Sequence, residues 1–218
     1  LYRGDDPAWL DALLGDRALL PAANGYRTLA KLRAGKPSEI KRTAKIRTVG
    51  VKEFSLNLDR CGLADYAAHR PGLRVIGLTR RNVVDRMVSN AVLEATGVVS
   101  TRFNKPTARK PQAKLEMSTD EALARLAVIE AENDRLDAML DRIGPDRLFR
   151  VDYDELYGEA ERTVETVRSM YTFLGVASQV PNIRMGKIIR TDPLERFERG
   201  AEIRAAIEES RFARWLRG

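Results

Sequence analysis

Apolar positions along this chain change period several times. Leu73 to Thr79, "LRVIGLT", is a compact run with β-branched residues behind Pro71-Gly72, the pattern of a strand buried on both faces. From Asn82 the spacing switches to three and four residues, predicting a helix to Thr96 that stops at Gly97. Ser118-Thr119-Asp120-Glu121 is a capping box that opens a helix to about Arg142. On it Leu123, Leu126, Ile129, Leu136, Leu140 and Ile143 recur at helical or heptad intervals, a stripe suited to core packing rather than to a coiled-coil seam.

"RLFRVDY", Arg147 to Tyr153, follows Gly144-Pro145 and reads as another strand, and Glu159 to Leu174 is an amphipathic helix ending at Gly175. The last helix, Ala201 to Leu216, carries Ile203, Ile207, Phe212 and Trp215 on one side. Nearer the N-terminus a helix spans Pro7 to Leu14, with Asp6 as its cap and Pro7 at its first position. "TVGVKEF", Thr48 to Phe54, reads as a strand, and a short helix follows near Leu63 to His69. Strands alternating with helices predict a single α/β domain over residues 1–218, a three-layer fold with a central parallel sheet flanked by helices.

Composition narrows the classes. With 44% hydrophobic and 32% charged residues the chain reads as globular rather than disordered. No apolar run approaches the roughly 20 residues of a membrane helix, and no charged-then-apolar leader opens the sequence, so a soluble, cytoplasmic protein is expected. One cysteine, Cys61, excludes an internal disulfide and a multi-cysteine metal site; one histidine, His69, excludes a histidine cluster. No metal is expected, and a reducing compartment fits.

The net charge of +7 is local. Arg27 to Arg47 holds eight basic residues against the one acid Glu39, an excess equal to that of the whole chain. Thr101 to Glu116 holds five against one, with Pro106 and Pro111 keeping it irregular, as Lys36-Pro37-Ser38 breaks the first patch. Such patches are either solvated surface or attractors of phosphate, sulfate and acidic glycans.

Ligands of open α/β folds bind beyond the carboxyl ends of the strands, where helix N-termini supply unpaired N–H groups. Arg81 lies at that edge, and Ser89 follows Asn82 by seven residues, about two helical turns, so its hydroxyl returns to the face of the helix start. A guanidinium and a hydroxyl there could hold one phosphate from two sides. The competing reading is an arginine paired with Asp85 and a serine bonded back to its own helix.

The segment "RNVVDRMVS", Arg81 to Ser89, resembles the R-x-P-x-D-x-x-x-S type motif of sulfotransferases, with Val83 in place of the frequent proline. "VGVKE" (Val49 to Glu53), "RPGLRVIGLTRRN", "VDYDELYGEAERTVETVRSMYTFLGV" (Val151 to Val176) and the tail "RTDPLERFERGAEIRAAI" are similar, in that order, to segments of bacterial carbohydrate sulfotransferases, including the nodulation-factor and trehalose types. The resemblance implies a P-loop-NTPase-like fold and transfer of a sulfuryl group from 3′-phosphoadenosine 5′-phosphosulfate to a hydroxyl of a carbohydrate or glycolipid, without a metal. It implies that Arg81 and Ser89 bind the 3′-phosphate, that Tyr153 lies near the adenosine, and that Lys187, Arg190, Arg199 and Gly200 of the tail add contacts. A homodimer is left open.

The family's 5′-phosphosulfate loop, of R-[ST]-G-[ST] type, and the G-E motif with its catalytic glutamate have no counterpart in residues 1 to 48. The resemblance therefore puts that strand, loop and helix upstream of Leu1, unless the transfer function has been lost. The catalytic groups stay unassigned, with Lys52 and Glu53 as weak candidates; an exposed salt-bridging residue is the better reading of Glu53. Two other classes stand beside this one. A nucleotide kinase of related fold lacks its G-x-x-x-x-G-K-[ST] loop here. A non-catalytic module binding nucleic acid or another polyanion through Arg27 to Arg47 would have one aromatic, Tyr26, at its margin and no recognised nucleic-acid motif.

Overall fold

The computed structural model describes residues 8–15, 19–36, 48–97, 101–102, 114–158, 160–177, 185–186 and 192–216. The chain divides into two compact units, Leu1–Leu73 and Arg74–Gly218. Among the described residues no helix is long and apolar enough to cross a membrane.

The first unit is helical. Helix α1 (Ala8–Gly15) matches the expected N-terminal helix, and Asp6 and Pro7 lie outside the described residues. Helix α2 (Leu19–Arg33) was not foreseen; it carries Arg27, Lys31 and Arg33 of the basic stretch, whose residues 37–47 lie outside the described set. Residues 48–54, expected as a strand, join no ladder among the described residues, and Val49, Val51 and Phe54 are exposed. A β-branched alternation becomes a strand only where a neighbour takes up its N–H and C=O groups. Here Glu53 instead accepts from the Phe54 N–H and from Asn57 Nδ2, both at 2.8 Å, and turns the chain into α3 (Ser55–Arg60). The helix expected near Leu63 to His69 is thus moved earlier, and successive turns occupy 64–69.

Those turns are stapled to α1. Asp11 accepts two hydrogen bonds from Arg70, at 2.8 and 2.6 Å, and one from the Tyr66 hydroxyl at 2.7 Å. The Arg70 hydrogen bonds, with help from Tyr66, hold the Asp11 carboxyl down at about 2 from its ordinary 3.8. A depressed folded-state value means stability that is present above the unfolded value and lost as pH falls through the folded one. The stability gap between the parent and Asp11→Asn is therefore expected to be full above about pH 4 and to close as pH drops through about 2. Urea unfolding across that range checks it; a gap that does not change with pH would assign the staple to shape rather than charge.

The second unit is mixed α/β and mostly helical, with a small parallel sheet. Strand β1 (Val75–Thr79) pairs with β3 (Leu148–Asp152) in the register Val75↔Leu148 through Thr79↔Asp152. Helix α4 (Val83–Thr96) follows β1. Asn82 caps it by accepting from the Asp85 N–H, and Gly97 ends it at φ 64°, a left-handed conformation that suits glycine. A short antiparallel pair, β2 (Thr101–Arg102) with β4 (Met185–Gly186), is separate from the parallel one and was not expected. Helix α5 (Thr119–Asp141) opens on the expected Ser118 cap, whose hydroxyl accepts from the Glu121 N–H at 3.1 Å.

Helix α6 (Tyr153–Leu156) leaves β3 directly, and α7 (Ala160–Leu174) ends before Gly175 as foreseen. The sheet has a helix on each side. On one face Gly77 meets Leu140 of α5, where a Cβ would come within 2.6 Å, and Arg150 pairs with Asp137 and Asp141. On the other, Phe149 and Phe173 of α7 have ring centroids 5.5 Å apart. Burial of β1 on both faces is corrected: Ile76 and Leu78 are exposed at 36% and 44%, on the face where α7 packs on β3. The broad parallel sheet expected from the strand pattern reduces, among the described residues, to these two strands.

Most of the core lies between helices. Val84, Met87 and Val88 of α4 meet Leu126 and Ile129 of α5, Leu194 and Phe197 of a 3₁₀ turn (Pro193–Arg196) and its exit, and Ile203 and Ile207 of α8 (Gly200–Glu208). The expected helix to Leu216 stops short. Ser210 Oγ donates to the Ile207 carbonyl and accepts from the Phe212 N–H, a local pairing that competes with the helical ladder and starts a 3₁₀ turn at Ala213–Leu216.

Candidate functional site

The carboxyl ends of β1 and β3 lie level, since Thr79 is opposite Asp152. Arg80, Arg81 and Asn82 continue from one strand, and Tyr153 continues from the other. This is where an α/β layer exposes its helix N-termini. Arg80 dominates the edge. Its Nη1 donates to Ser89 Oγ at 2.7 Å, its Nη2 lies 3.7 Å from Asp85 Oδ2, and its guanidinium sits 4.7 Å from the Tyr153 ring centroid. Asp85 and Ser89 are one helical turn apart on α4, so a single planar cation spans both while stacking on the aromatic ring.

Other groups hold Arg80 in place. Asn133 Nδ2 on α5 donates to the Arg80 carbonyl at 3.1 Å, and Asn133 Oδ1 accepts from Arg86, which also pairs with Glu132. Asn82 Nδ2 donates to the Trp215 carbonyl at 3.2 Å, so the C-terminal turn lies beside the start of α4. Arg211 and Arg214 fix that turn to Glu130.

The predicted pair divides. Arg81 has its ion pair elsewhere: its side chain is 63% exposed and its Nε lies 4.0 Å from Asp152 Oδ2, which belongs to the carboxylate that caps α6, while Ser89 Oγ accepts from Arg80. Ser89 and Tyr153 both lie at this edge, joined through Arg80. The alternative of an arginine paired with Asp85 describes Arg80 rather than Arg81. Arg80 was missed as a contact to Ser89, although successive residues leaving a strand point to opposite sides and only one of the two arginines could face α4.

Of the tail residues, Arg199 is the N-cap of α8 and pairs with Glu202, which pushes its pKa up. Gly200 packs under the 3₁₀ turn, where a Cβ would fall 2.3 Å from the Leu194 carbonyl oxygen. Lys187 and Arg190 lie outside the described residues. Lys52 and Glu53 belong to the first unit, with the Lys52 ammonium 5.4 Å from the Phe54 ring centroid and Glu53 engaged at the start of α3. Comparison with family models, with curated proteins and with solved structures finds no match for this chain.

Proposed function

We propose that this chain is a sulfotransferase that takes a sulfuryl group from 3′-phosphoadenosine 5′-phosphosulfate to a hydroxyl of a carbohydrate or glycolipid. One observation carries the reading: a guanidinium, a serine hydroxyl and a tyrosine ring converge where two parallel strands end and α4 begins. That donor set suits a phosphate monoester beside a purine, since arginine and a helix start favour the dianion and the ring offers a stacking face. In this reading Arg81, exposed at the same edge, meets the 3′-phosphate from outside while Ser89 meets it from α4. Tyr153 lines the adenine pocket, and the tail that reaches Asn82 through Trp215 lies beside the nucleotide. The helix on each face of the β1–β3 pair is what a P-loop-NTPase-like layered fold would place there.

Calorimetry with adenosine 3′,5′-bisphosphate, adenosine 5′-monophosphate and duplex DNA tests this. The bisphosphate should bind best, and Arg81→Ala should weaken it by about 1.5–3 kcal/mol, the worth of a charge-assisted contact. Ser89→Ala should cost less, about 0.5–1.5 kcal/mol. Equal affinity for the two nucleotides would sink the reading, and salt-sensitive DNA binding alone would replace it with a polyanion-binding module. Radiolabelled donor with a panel of glycan acceptors then reads transfer itself.

A further inference from the structure

We infer that Arg80 is the positioning residue of this anion site, the group that aims the Ser89 hydroxyl and the Tyr153 ring at the ligand. The inference rests on the reading of this edge as a 3′-phosphate site and adds a residue to it. A serine hydroxyl has one proton and two lone pairs, and in isolation it rotates freely. Here a lone pair of Ser89 Oγ is taken by Arg80 Nη1 at 2.7 Å. The proton of that hydroxyl is then left to be given outward, so Ser89 presents a donor, the polarity a phosphate oxygen needs. The same guanidinium lies 4.7 Å from the centroid of Tyr153, the ring that follows β3.

Arg80 is costly as a packing residue. Its side chain is 18% exposed, its Nε is buried without a hydrogen-bond partner among the described residues, and its facing carboxylate, Asp85, stands off at 3.7 Å. Buried donors are normally met, so an unmet one calls for a reason. The Arg80 carbonyl is pinned by Asn133, and Asn133 by Arg86, so the backbone that aims the side chain is itself braced. Lysine could supply the charge but not a planar group that stacks and donates in two directions.

The test uses the full chain and the ratio of affinities for adenosine 3′,5′-bisphosphate over adenosine 5′-monophosphate, measured by calorimetry for the parent, Arg80→Ala, Arg80→Lys, Ser89→Ala, the Arg80→Ala/Ser89→Ala double variant, and the Arg81→Ala/Ser89→Ala pair with its singles. Arg80→Ala should lower the ratio about tenfold, and Arg80→Lys should not restore it. Ser89→Ala should lower the ratio about fivefold in the parent and less than about twofold once Arg80 is gone, whereas its effect should be undiminished beside Arg81→Ala. A role in folding alone would weaken both nucleotides equally and leave the ratio alone, which overturns the inference. So would effects of Arg80→Ala and Ser89→Ala that simply multiply. A parent ratio near one is a different failure, because it removes the 3′-phosphate reading itself.

Discussion

Phe197→Ala is expected to lower the stability of the Arg74–Gly218 unit by about 3–5 kcal/mol, a large share of the roughly 5–15 kcal/mol of a typical domain. The ring is 1% exposed and sits among Leu194, Ile203, Ile207 and the facing surfaces of α4 and α5. Truncation there removes apolar burial and leaves a cavity whose walls are helices tied elsewhere, so collapse can recover little. Relaxation is further restricted because Leu115 accepts from the Glu198 N–H and donates to the Arg196 carbonyl on either side of Phe197. Denaturant unfolding should show a lower midpoint with an unchanged slope. A loss below about 1 kcal/mol would mean that the 3₁₀ turn and its exit are peripheral to the core.

Local signals were legible in the sequence. Ser118 with Glu121, the change of period at Asn82, and Gly97 and Gly175 as stops mark ends that depend on local residues, and the helices begin and end there. The β1 and β3 strands were legible for the same reason, as short apolar runs set off by Pro71-Gly72 and Gly144-Pro145. What depended on distant partners was not. Residues 48–54 have a strand's composition, but pairing is decided by a neighbour the local pattern does not name. Helix α2 contains Pro21, Asn24 and Gly25, which argue against a helix one by one. The break at Ser210 turns on one hydroxyl choosing a backbone partner. In the site, spacing put an arginine and Ser89 together; which arginine faces α4 is a question of side-chain direction, and the edge answers it with Arg80.

Gly200 brings both kinds of argument to one atom. The family resemblance assigns it to the nucleotide, whereas the packing supplies a reason that needs no ligand: a Cβ would lie 2.3 Å from the Leu194 carbonyl oxygen and 3.1 Å from its carbon. That carbonyl has nowhere to go. Leu194 is 1% exposed, its N–H is capped by Asp192 at 3.0 Å, and Asp192 is itself paired with Arg204 of α8. The Gly200 N–H also donates to the Phe197 carbonyl at 3.3 Å, closing the turn from the other side. A branched side chain must push α8 away from the 3₁₀ turn and open the core that Phe197 fills. Gly200→Val should therefore cost about 3 kcal/mol, the upper end for overpacking, and Gly200→Ala somewhat less, both measured by denaturant unfolding without nucleotide. If the ligand-free stability of Gly200→Val equals that of the parent while its affinity for adenosine 3′,5′-bisphosphate falls, the glycine is kept for the nucleotide and the packing account is wrong.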